Sequence, residues 1–233
     1  MCEIEVEKKY VFIGTPCQVA SLNNYLVKKG IRDRFILVDL ICHGVPSYNL
    51  WHKYVSLIRK KFLCGENIKK ISFRKKTNEY TNNNMNMEFV SENKSYICKQ
   101  QKDLFFKFFC LGNVYARSCY NCNFRTNSSA DIRIGDYWGE KYKTIPGTSM
   151  ILILTEKGNE VFQEVFDELE IEQGFLDDYK KYQQTLNINP PDYYEDIMKA
   201  LQESDIDFVY KKFVKKFYVL DPIKNVIKFL LKK

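Results

Sequence analysis

The chain has 233 residues, 45% of them hydrophobic, and a formal net charge of +7. That is long and apolar enough for a core without disulfide staples, and it excludes a disordered or low-complexity chain. Eight cysteines fall short of a secreted disulfide scaffold, no apolar stretch reaches the roughly 20 residues that span a bilayer, and no signal-peptide pattern opens the chain. A reducing, cytoplasmic setting is therefore expected, where clustered cysteines more often bind metal or do redox work than form disulfides. The charge is uneven: residues 205–233 hold eight lysines against three aspartates, a tail that attracts acidic surfaces without identifying them.

Tyr10 to Ile13 is a β-prone apolar run that ends at Gly14. Thr15-Pro16-Cys17-Gln18 then reads as a helix start, with Thr15 as cap, Pro16 at the first helical position and Gln18 completing a capping box. Val19, Leu22 and Leu26 keep helical spacing up to Gly30, a plausible stop. A second apolar run, Phe35 to Ile41, ends in Cys42-His43-Gly44, and Ser47 is the expected cap of a helix reaching about Phe62. Ile68 to Arg74, Met85 to Val90 and Lys94 to Cys98 read as short antiparallel strands, with the N-N-N run at 82–84 as a loop tip.

Leu104 to Leu111 is expected to be helical and leads to a cysteine turn at 119–122. Ile132 to Ile134 and Met150 to Leu154 are strand-like, and Lys157 to Leu169 helical. The last third is helical and aromatic, broken at Asn189-Pro190-Pro191. Near the end Ile223, Val226, Ile227, Leu230 and Leu231 form an amphipathic stripe opposite lysines. The expected fold class is α/β: an N-terminal βαβ unit with parallel strands, an antiparallel strand meander inserted after it, and a helical C-terminal tail. One domain over residues 1–170 is expected, with a tail over 171–233 packed on it.

Cys119-Tyr-Asn-Cys122 puts two thiols on one tight turn, as a metal or cluster corner requires. Cys17 and Cys42 each lie just past a predicted parallel strand, at a helix start. If those strands are neighbours, roughly 4.8 Å apart, both sulfurs leave at the carboxyl edge of one sheet, where open α/β sheets bind ligands, and helix N-termini there favour an anionic cluster. Four thiols from three loops suit a 4Fe-4S cluster; spacing alone suits a structural zinc as well. The plain alternative is two small buried cysteines and an incidental C-x-x-C. His43, in a glycine-flanked turn, is a candidate to hydrogen-bond a cofactor or cluster sulfur, or is simply satisfied by backbone. His52 reads as a surface or packing residue, and Cys2, Cys64, Cys98 and Cys110 as structural.

Four motifs in order, F-I-G-T-P-C-Q-V-A (12–20), V-D-L-I-C-H-G-V-P-S (38–47), S-C-Y-N-C-N-F (118–124) and D-I-R-I-G-D-Y-W-G (131–139), resemble the C-terminal domain of the coenzyme F420 hydrogenase/dehydrogenase beta-subunit family over roughly residues 10–170. The resemblance implies an iron–sulfur flavoprotein that passes electrons between a cluster and a hydride-carrying coenzyme. It implies 4Fe-4S ligands at Cys17, Cys42, Cys119 and Cys122, and FAD lined by Gly14, Thr15, Gln18, Asp136 and Gly139, with glycines 14 and 135 letting backbone approach phosphate or ring. Relatives often begin with a ferredoxin-like segment, whereas here the chain opens about ten residues before G-T-P-C-Q. A version truncated at its N-terminus, working with a ferredoxin-like or other redox partner subunit, is therefore expected. Nothing in the sequence reads the tail of the deazaflavin coenzyme.

Without the resemblance, D-I-R-I-G-D reads as a strand with aspartates at both turns and Trp138 as core. No side chain stands out as acid, base or nucleophile, which suits cofactor-borne chemistry and is also what a non-catalytic protein shows. Two other functions compete. One is a zinc-stabilised nucleic-acid-binding module, for which residues 53–76 offer nine Lys/Arg and one acidic residue but no recognition signature, so no nucleic acid is expected. The other is a non-catalytic, truncated interaction subunit whose terminal helix docks on a partner or a membrane surface.

Overall fold

The computed structural model describes residues 8–76, 85–142 and 147–218. In chain order the elements are β1 (Tyr10–Gly14), α1 (Pro16–Lys28), β2 (Phe35–Leu40), α2 (Tyr48–Phe62), β3 (Lys70–Lys76), β4 (Met85–Val90), β5 (Ser95–Lys99), α3 (Leu104–Leu111), α4 (Arg117–Tyr120), β6 (Ile132–Asp136), β7 (Ser149–Ile153), α5 (Glu156–Glu164), α6 (Leu176–Tyr182), α7 (Tyr194–Glu203) and α8 (Ile206–Val209), the last continued by a π-helical turn over Tyr210–Val214. The fold class is the expected α/β one, with parallel pairing at the N-terminus, an antiparallel meander and a helical C-terminal stretch. The N-N-N run and the amphipathic stripe at 223–231 lie outside the described residues, as does Cys2. No helix among the described residues is long and apolar enough to cross a membrane.

The chain divides into two compact units, residues 1–43 with 121–187, and residues 44–120 with 188–233. The first holds a four-stranded sheet in the order β1-β2-β6-β7. β1 and β2 are parallel neighbours with Gly14 opposite Asp39, β2 and β6 are parallel with Asp39 opposite Arg133, and β7 closes antiparallel on β6. The run F-I-L-V-D at 35–39 is buried on both faces, which is why it reads as continuously apolar rather than alternating. β1 alternates instead: Tyr10 and Phe12 join Val19, Leu26, Phe35 and Leu37 in a core under α1, while Val11 and Ile13 are 65% and 61% exposed.

Local chemistry sets the helix ends as the sequence suggests. Gln18 Oε1 accepts from the Thr15 N–H at 3.0 Å and from Thr15 Oγ1 at 2.9 Å, with Pro16 opening α1. Past its end Gly30 takes φ +66°, a conformation that costs a residue with a Cβ. Ser47 stands at the cap position of α2 but its side chain makes no capping bond; only its backbone carbonyl accepts, from Trp51 N–H.

Two ion pairs fasten the sheet. At its amino end Asp131 receives Arg32 Nη2 on both oxygens at 2.9 Å, Leu37 N–H at 2.8 Å and Thr155 Oγ1 at 2.9 Å. In the middle Arg133 meets Asp39 in a bidentate pair at 2.7 and 2.8 Å, with side chains 3% and 0% exposed. Ser128 Oγ adds 2.6 Å to Asp39, and the remaining guanidinium protons reach the carbonyls of Arg125 and Phe124 and the Tyr179 hydroxyl. Burial works against the Arg133 charge, but the hydrogen bonds and charge of Asp39 outweigh it and raise the guanidinium pKa.

The second unit carries the β3-β4-β5 meander. Its core gathers Leu50, Tyr54 and Ile58 of α2, Met87 and Phe89 of β4, Phe105 and Phe108 of α3, and Ile197, Leu201, Val209 and Phe213 from the C-terminal helices. Burying each such side chain is worth about 1.5–3 kcal/mol. Inside it Asp103 caps α3, its Oδ1 accepting from Phe106 N–H at 3.1 Å and its Oδ2 from Tyr54 Oη at 2.5 Å. Burial raises the Asp103 pKa, although both hydrogen bonds oppose the shift.

Two measurements follow from these buried charges. Arg133→Met leaves Asp39 as a buried carboxylate without its counter-ion, which is expected to cost about 3–5 kcal/mol; an unchanged urea midpoint would contradict this. For Asp103 a raised folded pKa means that the folded state binds its proton more tightly than the unfolded one. The stability from this group is thus full below the ordinary carboxylate pKa of about 3.9 and is lost as pH rises through the raised folded value. The stability of the wild type relative to Asp103→Asn should fall over that window in urea melts; a difference that grows with pH would reverse the assignment.

Candidate functional site

Because β1, β2 and β6 run parallel side by side, their carboxyl ends deliver three segments to one edge of one sheet. From β1 come Gly14, Thr15, Pro16 and Cys17; from β2, Ile41, Cys42 and His43; from β6, Asp136, Tyr137, Trp138 and Gly139. The neighbouring strands expected from the positions of Cys17 and Cys42 are observed, with Ile41 N–H bonded to Ile134 O at 2.9 Å.

Cys17 is exposed in the first turn of α1, with Thr15 Oγ1 at 3.2 Å from its sulfur. Thr15 and Gln18 are engaged with each other in the helix cap. Gly14 is closed in by the chain itself, since a Cβ there would lie 2.9 Å from the Phe12 ring and 3.3 Å from Gln18 Oε1. Gly135 is likewise approached by Ile41, and Gly139 by the Tyr137 ring. Asp136 ends β6, and its carbonyl accepts from Gln183 Nε2 at 2.6 Å. Trp138 is 44% exposed, so its reading as a core residue is not met.

The segments bearing Cys42 and Cys122 are joined by side chains that the sequence does not single out. Arg125 Nη1 donates to Cys42 O at 2.7 Å and Nη2 to His43 O at 3.4 Å, while its Nε reaches Asn187 Oδ1 at 2.9 Å. Asn187 Nδ2 in turn donates to Cys122 O at 3.2 Å. His43 Nδ1 lies 2.6 Å from Gln184 Oε1, and Gln184 Nε2 is buried without a partner. These partners lie 62 to 141 residues apart in sequence, where no local pattern can connect them. Asp39 alone leaves a signal, as a charge inside an apolar strand.

In the second unit Cys119 lies on α4 and accepts the Val45 N–H at 3.4 Å. The turn before Val45 depends on Gly44, whose φ is +133° and whose hypothetical Cβ would meet the Tyr115 ring at 2.6 Å. Tyr120, next to Cys119, bonds Gly112 O at 2.6 Å, and burial pushes its phenol pKa up to about 12. Cys64 receives Lys94 Nζ at 2.9 Å, and burial raises the Cys110 thiol pKa.

No disulfide forms among the described cysteines. Nor does any group of three or more His, Cys, Asp or Glu among the described residues stand ready to hold a metal ion. Thiols are donors of the kind that iron–sulfur clusters and zinc take; near them in the first unit are an exposed indole, Trp138, after the end of β6, and a buried amide nitrogen, Gln184 Nε2, beside His43.

The family defined by the C terminus of the beta subunit of coenzyme F420 hydrogenase/dehydrogenase matches residues 7–178. No curated protein matches significantly. Among solved structures the chain is similar to one from the xenon-derivatised F420-reducing NiFe hydrogenase complex of Methanosarcina barkeri. The identity is 17% and the TM-score 0.41, over 88% of this chain and 60% of the hydrogenase chain; the present chain thus spans less than two thirds of that protein's length.

The Arg125–Asn187 tie has a measurable consequence. Arg125→Met removes the donors that hold Cys42 O and His43 O, and each lost hydrogen bond raises local opening by about tenfold. Iodoacetamide labelling of Cys42 and Cys122, followed by mass spectrometry, should accelerate by that order while Cys17, outside the network, keeps its rate. Equal acceleration at all three would mean global loosening instead.

Proposed function

We propose, because the chain belongs to the family of C-terminal domains of coenzyme F420 hydrogenase/dehydrogenase beta subunits, that it is a redox subunit holding one 4Fe-4S cluster and a flavin. In this reading Cys17, Cys42, Cys119 and Cys122 bind the cluster, and FAD lies along Gly14, Thr15, Gln18, His43, Asp136 and Gly139. Electrons pass to or from a separate ferredoxin-like or other redox partner. The observation that carries the reading is the parallel pairing of β1, β2 and β6, which sends Cys17, Cys42 and Asp136 out at one sheet edge. Cys119 enters through the C-x-x-C spacing alone.

A flavin exchanges electrons in pairs as hydride and a cluster singly, so the two together couple both kinds of chemistry. The chain's own residues supply position and polarity. Arg125 and Asn187 hold the backbone at Cys42 and Cys122. Val45 N–H donates to Cys119 sulfur, and hydrogen bonds of that kind tune a cluster's potential.

The test is iron, acid-labile sulfide, zinc and flavin content after strictly anaerobic purification, with Cys17→Ser and Cys119→Ser in parallel. About four irons and four sulfides per chain are expected, with both lost in each variant. One zinc without sulfide would convert the site to a structural metal centre. A colourless, metal-free protein would end the redox reading.

A further inference from the structure

We propose that Trp138 is the stacking platform, and Gln184 the amide donor, for the ring system of a flavin at the carboxyl edge of the parallel sheet; this rests on the flavin part of the reading above. Trp138 stands two residues beyond the end of β6 and keeps 44% of its surface exposed. The other tryptophan shows the contrast: Trp51 stacks on Phe73 at 5.3 Å and meets Phe105 edge-on at 5.2 Å, so its ring faces are used by the protein. An indole left open outside the carboxyl end of a parallel strand stands where open α/β sheets take planar ligands.

Gln184 supplies the second group. Gln183 Nε2 on Asp136 O at 2.6 Å brings this dipeptide to the end of the strand that leads to Trp138. Gln184 spends its oxygen on His43 Nδ1, which leaves Nε2 as a buried donor without an acceptor. Such a donor is costly unless an acceptor, from water or from a ligand, meets it, and a ring carbonyl at this edge is such an acceptor. The two groups together select a ring with a π face for the indole and a ring carbonyl for the amide, as in isoalloxazine. A phosphate or sugar offers the amide an acceptor but gives the indole nothing to stack on, and adenine offers the indole a face but the amide no ring carbonyl.

The test uses riboflavin, which has the ring without a nucleotide tail, and ADP, which has the reverse. Binding is read twice, by equilibrium dialysis and by quenching of Trp138 emission in a Trp51→Phe background. If that background fails to fold, the difference between wild type and Trp138→Phe reports the same indole. Riboflavin is expected to bind and quench saturably, and ADP not. Trp138→Leu should raise the riboflavin Kd about fivefold to tenfold, Trp138→Phe less, and Gln184→Leu about fivefold, with circular dichroism unchanged. Riboflavin that binds Trp138→Leu and Gln184→Leu as it binds wild type would overturn this assignment and leave the flavin reading standing. No riboflavin or FAD retained by the wild type would overturn both. ADP binding as tightly as riboflavin, and surviving in Trp138→Leu, would replace the ring platform with a nucleotide-tail site.

Discussion

The buried pair between Asp39 and Arg133 is the constraint on which the rest of the first unit hangs. The two residues are direct partners across the β2–β6 ladder, with side chains almost wholly removed from water. A buried pair of this kind seldom adds stability over a well-packed apolar pair. Its use is register: if β6 slips by one residue, both charges lose their partner and every strand side chain changes face. Fixed register is what brings the segment after β6 level with the segment after β2. The surplus donors of Arg133 then fasten the carbonyls of Phe124 and Arg125, so the same guanidinium steadies the segment that follows Cys122.

From that fixed frame the edge is built by successive handovers of hydrogen bonds. Arg125 carries order from β6 to the carbonyls at Cys42 and His43, Asn187 carries it back to Cys122, and the Gln183–Gln184 pair binds both the end of β6 and His43. The ion pair at Asp131 closes the opposite end of the sheet. The two aspartates of one short motif thus stand at opposite ends of the sheet: Asp131 is consumed by structure at the amino end, and Asp136 lies at the carboxyl end, where open α/β sheets bind ligands. The Tyr54–Asp103 pair in the second unit is likewise consumed by structure, capping α3 from within the core.

The parts of this arrangement with a local cause are legible in the sequence. The Thr15–Gln18 cap, Gly30 as a helix stop and the unbroken apolar run at 35–38 each follow from residues within one or two turns of each other, as does the meander from its alternating strands. The family can be read because four short motifs occur in order. The helix expected over Lys157–Leu169 is too long; α5 ends at Glu164 and a separate 3-10 turn, Phe166–Glu168, follows, because periodicity does not mark where a helix tightens. Arg125, Asn187 and Gln184 are not legible at all. They are ordinary polar residues in irregular segments, and their partners are set by tertiary structure. Trp138 misleads for the opposite reason: indoles are usually covered, and only the folded chain reveals this one as open.

The first unit is discontinuous, and this has a cost during synthesis. β1 and β2 emerge early, but β6, which completes their sheet and neutralises Asp39, comes only after the whole inserted meander and helices. At roughly 5–20 residues per second of translation, the two strands wait roughly 5–20 s with Phe35, Ile36, Leu37 and Val38 lacking their final cover. Residues 44–120 also lack their C-terminal helices until later still. The nascent chain therefore carries two unfinished cores at once, the kind of exposed apolar surface that chaperones exist to shield.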